Sequence, residues 1–117
     1  MARKYDLTIE QGATFKLTLI WKGEDKQPLD LTGYTAALQV REAYTSSERL
    51  ISLTTAPNGG ITLTPDQGRI DVVIESAVTA NLPAPKNGVY DLELTSPSGE
   101  ITRLLEGKVR ITPEVTR

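Results

Sequence analysis

The chain has 117 residues, no cysteine and no histidine, and a formal net charge of −2 from 15 acids and 13 bases. That size fits one domain with one core. The missing residue types exclude disulfides, thiol nucleophiles and imidazole, the commonest general base, and the interspersed charge gives no electrostatic footprint for nucleic acid or an anionic membrane.

No apolar run approaches the roughly 20 residues of a membrane helix. Arg3 and Lys4 have no apolar segment behind them, so we expect no secretory signal and folding in the cytoplasm of the cell that makes the chain. Tyr5 to Glu10 predicts a first short strand, broken at Gln11-Gly12, and Ala13 to Trp21 a second. Phe15, Leu17, Leu19 and Trp21 share one face of it and Thr14, Lys16 and Thr18 the other, with Ile20 the exception. A strand, a glycine kink and a second strand is how a first strand crosses between two packed sheets. Trp21, in register with Phe15, Leu17 and Leu19, is expected in the core.

Lys22 to Gln27 predicts a charged loop, and Pro28 to Gly33 a turn-rich approach to a strand at Tyr34 to Arg41, with Ala36, Leu38 and Val40 inward. Glu42 to Glu48 predicts an exposed loop with room for one helical turn. Further strands follow at Arg49 to Thr54, Ile61 to Thr64 and Arg69 to Glu75, the last with Ile70, Val72 and Ile74 inward. Ser76 to Leu82 leaves the alternating pattern. Ser76 as N-cap and Pro83 as stop predict one helical turn near residues 76–82.

Gly88 to Ile111 predicts a long hairpin. Tyr90, Leu92 and Leu94 alternate with Asp91, Glu93 and Thr95, and Ser96-Pro97-Ser98-Gly99 reverses the chain with glycine at a left-handed position. Ile101, Leu105, Val109 and Ile111 share the inward register of the return strand. Arg103 disturbs that register, and Gly107 interrupts it, which predicts a bulge or bend there. The N-terminal strand and Lys108 to Thr112 are expected at sheet edges, and Pro113 ends regular pairing. Turns at Pro57, Pro65, Pro85 and Pro97 share a grammar of proline followed by glycine. About seven to nine short strands joined this way indicate a β-sandwich or small barrel. We take the fold class to be all-β, an immunoglobulin-like antiparallel sandwich forming a single domain over residues 1–117.

No constellation carries chemistry. Asp91 and Glu93 point to one face, as a pair of carboxylates for a hard cation would, but calcium wants about six to eight oxygens, usually from a loop. We read the pair as a solvated strand face, and Asp66, Asp71 and Glu75 as surface charge. Ser76, Ser96 and Ser98 have no histidine to activate them and no S-x-x-K spacing. No phosphate-binding glycine pattern is present, and the aromatics do not interleave with bases as on a nucleic-acid platform. We therefore expect no enzyme activity, no cofactor and no metal. The residues left as interface candidates are Tyr44, isolated in a polar loop, Arg103, whose charge breaks the inward register, and the strand cations Lys108 and Arg110.

The segments Tyr5 to Phe15, Trp21, Pro28 to Ala36 and Gly59-Gly60-Ile61 resemble, in order, small β-sandwich proteins encoded in tailed-bacteriophage structural gene clusters. So do Tyr90 to Leu94, Arg103 to Gly107 and Glu114 to Arg117. The chain is also similar to the N-terminal sandwich domain of phage baseplate upper proteins. The resemblance implies a non-catalytic virion component that contacts other phage structural proteins in several symmetric copies, at the tail, baseplate or fibre region. Alternatives are a head or collar decoration protein and a free-standing carbohydrate- or ligand-binding module. The resemblance carries over no functional residue.

Overall fold

The structure, a computed structural model of the chain, describes residues 2–23 and 25–116. Glu24 of the predicted charged loop and Arg117 of the tail lie outside the described residues. The strands are β1 (Arg3–Lys4), β2 (Leu7–Glu10), β3 (Phe15–Ile20), β4 (Thr35–Arg41), β5 (Ile51–Thr54), β6 (Ile61–Thr64), β7 (Arg69–Ile74), β8 (Lys86–Thr95) and β9 (Ile101–Thr112). A 3-10 turn (Pro65–Gln67) separates β6 from β7, and one helical turn, α1 (Ser76–Thr79), follows β7.

Two sheets face each other. One runs β1-β9-β8-β4-β5, with β2 also paired to β9; the other runs β3-β7-β6. This is a β-sandwich of a six-strand sheet over a three-strand one, larger on one side than the four-over-three immunoglobulin arrangement because the N-terminal strands add to it. The first strand joins the larger sheet in parallel with β9, in the register Leu7↔Val109 and Ile9↔Ile111. The chain then crosses at Gln11-Gly12 to the smaller sheet, as its glycine kink predicts. The core lies between the sheets and is built from the period-2 inward residues. Leu7, Ile9, Ala36, Leu38, Val40, Ile70, Val72, Ile74, Tyr90, Leu92 and Leu94 are all buried. Burying alternate apolar side chains from both inner faces is what a sandwich of half-wet strands requires.

Five expectations need correction. β9 is not an edge, because the N-terminal strands cover it on one side and β8 on the other. The bulge of the hairpin is not at Gly107. Leu92 pairs with Leu105 while Glu93 pairs with Arg103, so Leu104 is the extra residue. Beyond it the parity of β9 inverts: Arg103 faces out, and Ile101, expected inward, is 62% exposed. Ser76 is not the N-cap. Glu75 holds that position with extended backbone, and its carbonyl accepts from the N–H groups of Val78 and Thr79. Loop 42–48 contains no helical turn. Trp21 is only half-buried; it packs at the end of the sandwich, edge-on to Tyr34 with ring centroids 6.1 Å apart.

The crossing is tied to α1 by side chains. The fully buried Thr79 donates its hydroxyl to the Ala13 carbonyl at 2.8 Å. The Gln11 amide donates to the Leu82 carbonyl at 2.9 Å, and its oxygen accepts from the Glu114 N–H at 3.0 Å. At the other end of the hairpin Gly99 has φ 93, as its turn predicts. The Gly99 N–H donates to the Ser96 carbonyl at 2.9 Å. Space around a Cβ at Gly99 is open, so Gly99→Val should cost only the left-handed strain, about 1–2 kcal/mol. Chemical denaturation of the two proteins checks this; an unchanged midpoint would remove the argument.

Tyr90 ties the N-terminal strand to the core. Its ring is 3% exposed, and its hydroxyl donates to the Tyr5 carbonyl at 2.5 Å. Burial, then the nearby Asp6 carboxylate, pushes the phenol from its ordinary 10.0 up to about 12. A raised pKa means the folded state keeps the proton longer than the unfolded chain. The contribution is intact below about pH 10 and is lost as pH rises through about 12, by roughly 1.4 kcal/mol per pH unit in that window. Stability of the wild type measured between about pH 9 and about pH 11.5 should therefore fall more steeply than that of Tyr90→Phe, which has no proton to lose there. Parallel slopes would mean that Tyr90 titrates normally.

Candidate interaction face

The outer face of the larger sheet collects the polar residues that alternate with the core. From β4 come Gln39 and Arg41, from β8 Asp91 and Glu93, and from β9 Arg103, Glu106, Lys108 and Arg110. The register places Gln39 opposite Asp91, Asp91 opposite Glu106, and Glu93 opposite Arg103. Because Leu104 bulges, the Arg103 side chain lies over this face. Its guanidinium sits 3.1 Å from the Glu106 carboxylate and 3.5 Å from that of Asp91. The hydrogen bond to Glu106 first, and the charge of Asp91 second, raise the Arg103 pKa above its ordinary value. These pairs are solvated, so they orient the side chain more than they stabilise the fold.

Beside this cluster stands the 42–48 loop. Arg41 is half-buried and clamps it, donating to the carbonyls of Ser46 at 2.7 Å and Ser47 at 3.0 Å. Its other terminal nitrogen donates to Gln39 Oε1 at 2.9 Å. The Ala43 N–H donates to Ser46 Oγ at 3.1 Å. The clamp presents Tyr44 at the loop, 79% exposed. Tyr44, Gln39, Arg41, Asp91, Arg103 and Glu106 together line a shallow depression of about 160 Å³.

Two of the four predicted interface residues, Tyr44 and Arg103, are thus brought to one place. Lys108 and Arg110 lie farther along β9 on the same outward face, opposite Val89 and Asn87. They line a separate depression with Asp6, Thr8 and Glu42. Glu42 is held there by Lys86 at 2.9 Å. Sequence reasoning missed Arg41 and Glu106. The outward register of β4 was the available signal for Arg41. Glu106 required knowing where β9 bulges.

The larger opening of the molecule is elsewhere. A groove of about 1080 Å³ runs along the flank where β5 and β6 end their sheets, lined in part by Leu50, Leu53, Ile61, Leu63 and Val78. Tyr34 is its one aromatic lining residue, and it is engaged edge-on by Trp21. This is not the planar platform on which sugars stack.

A family model described as "LtfC-like, beta-sandwich domain" matches residues 1–112. No curated protein matches the chain.

Proposed function

The chain belongs to the LtfC-like β-sandwich domain family, and from that premise we propose that it is a non-enzymatic structural module of a tailed-phage virion. It attaches to or decorates the tail, baseplate or fibre region through protein–protein contacts. The observation that carries this reading is the family match across nearly the whole chain, residues 1–112. The clamped loop and ion cluster on the outer sheet face support a docking role. Tyrosine and arginine are the residue types that anchor interfaces, and here both are pre-oriented before a partner arrives.

Mass spectrometry of purified virions, followed by a particle reconstruction, tests the proposal. The chain should be present in several symmetric copies with the Tyr44–Arg103 region against another structural protein. Arg103→Glu adds a fourth acid to Asp91, Glu93 and Glu106 and should reduce incorporation at least tenfold, a loss of about 1.4 kcal/mol or more per contact. Its melting temperature should stay near wild type, because the residue is solvated. Absence of the chain from virions would defeat the structural reading; a reconstruction that places it on the head or collar would relocate it. The open β5–β6 groove favours a ligand-binding module as the second reading, and a thermal-shift screen against sugars and small apolar ligands separates the two.

A further inference from the structure

We propose that β3 is a self-pairing edge, through which two copies of this chain join their smaller sheets into one continuous six-stranded sheet. This goes beyond the outer-face contacts proposed above and uses the opposite side of the molecule.

The backbone parity of β3 fixes what its free side offers. The Trp21 N–H donates to the Gly68 carbonyl at 2.8 Å, which continues the β3–β7 register in which Leu19 faces Ile70 and Leu17 faces Val72. In an antiparallel ladder, alternate residues bond to the same neighbour. The odd residues of β3 are therefore spent on β7. Lys16, Thr18 and Ile20 turn their N–H and C=O groups to the open side. Six residues without proline or bulge make this an uninterrupted edge, and unpaired edges are templates for another strand.

The remaining edges offer less. On the free side of the N-terminal strands lie Lys4, Asp6, Thr8 and Glu10, three of the four charged, which discourages edge pairing; the Glu10 carbonyl already accepts from Ala13 at 3.0 Å, and the Asp6 carboxylate accepts from the Lys108 N–H at 2.9 Å. The end of β5 is closed by the Thr54 N–H donating to the Gly59 carbonyl at 2.9 Å. β6 has only four residues, Ile61–Thr64.

A second copy fits the β3 edge because the strand is self-complementary. An antiparallel pair about a two-fold axis at Thr18 sets Thr18 opposite its symmetry mate, Lys16 opposite Ile20, and Leu17 opposite Leu19. Every free N–H and C=O of Lys16, Thr18 and Ile20 then meets one from the partner copy. The same register keeps core-facing residues against core-facing residues, as the period of 2 demands. A one-residue slip would oppose Lys16 to Leu19 and lose both matches. The exposed Ile20, 48% accessible in one copy, gains cover from the partner's Lys16 stem. The two lysines sit at opposite ends of the shared ladder and do not face each other.

An interface of one strand pair is smaller than the roughly 1,200 Å² of stable complexes. The isolated chain should therefore dimerise weakly, with a dissociation constant between about 10 µM and about 1 mM, and strengthen only when other contacts hold copies together. Sedimentation equilibrium across that concentration range tests this on the full chain. Thr18→Pro removes an edge N–H that β7 does not use, a position where strand proline is tolerated. It should weaken dimerisation at least about tenfold. Thr18→Val loses the same side-chain bond to Asp71, 2.6 Å in the wild type, but keeps the N–H, and should dimerise within about threefold of wild type. Amide exchange of the wild type supplies a measurement independent of the variants: protection at Lys16, Thr18 and Ile20 should rise with protein concentration. A wild type that stays monomeric at millimolar concentration, or concentration-independent exchange at those three amides, would overturn the proposal. Equal association by the proline and valine variants would overturn it as well.

Discussion

Leu92→Ala should lower the unfolding free energy by about 3–4 kcal/mol, within the usual range for truncating a buried leucine. Leu92 is 0% exposed and sits on β8 between β4 and β9, opposite Leu38 on one side and Leu105 on the other. Both flanking strands are held by ladder hydrogen bonds, so the surrounding backbone cannot collapse into the vacated space. The immunoglobulin sandwich of antibodies joins its sheets with a disulfide at this level of the core. This chain has no cysteine, so apolar burial takes the place of that disulfide in holding its sheets together. Against a typical domain stability of about 5–15 kcal/mol, the loss should shift the urea midpoint strongly while leaving the denaturant slope unchanged. A loss below about 1 kcal/mol would mean that the centre of the sandwich repacks freely.

The alternation that identifies Leu92 as core was legible in the sequence because a strand with one wet face writes its orientation at every second residue. β7, with Ile70, Val72 and Ile74, and β4, with Ala36, Leu38 and Val40, were legible for the same reason. The glycine kink at Gly12 announced the crossing between sheets, and Gly99 announced its own turn. What stayed hidden depends on pairing between distant segments. Leu104 and Leu105 are adjacent apolar residues, and only the register against β8 decides which one is expelled as a bulge. Without that register, alternation alone sets Ile101 inward and makes Arg103 a misfit. The edge order was hidden too: nothing local says that β2 runs parallel to β9 and removes it from the edge. In the candidate site Tyr44 stood out by its isolation and Arg103 by its charge. Their meeting, and the Arg41 clamp that presents Tyr44, follow from how β4 and β9 flank β8. Register alone sets Trp21 in the core; it cannot show that its strand ends at the rim of the sandwich.

Gly107→Ala should destabilise the chain by about 2–4 kcal/mol and release the N-terminal strand. Gly107 does not have a left-handed φ, so its need for glycine is not conformational. It faces Tyr90 in the β8–β9 register, at the point where Tyr5 and Asp6 cross over β9 between β1 and β2. A Cβ there would lie 2.5 Å from the Tyr5 carbonyl oxygen and 2.9 Å from Asp6 Oδ1. Those two oxygens are the acceptors that fasten the strand: the first takes the Tyr90 hydroxyl and the second the Lys108 N–H. The Tyr5 N–H adds a bond to the Glu106 carbonyl at 2.9 Å. A methyl group must push this backbone away, losing up to three hydrogen bonds at about 0.5–1.5 kcal/mol each and adding overpacking of similar size. The amides of Leu7 and Ile9, protected by pairing with β9 in the wild type, should then exchange faster, while those of β7 stay near wild type. Gly99→Ala is the control, since a Cβ there meets open space. It should cost less and leave Leu7 and Ile9 protected. If instead Gly107→Ala is milder than Gly99→Ala and the N-terminal amides do not respond, the close passage of Tyr5 over β9 is not what this glycine accommodates.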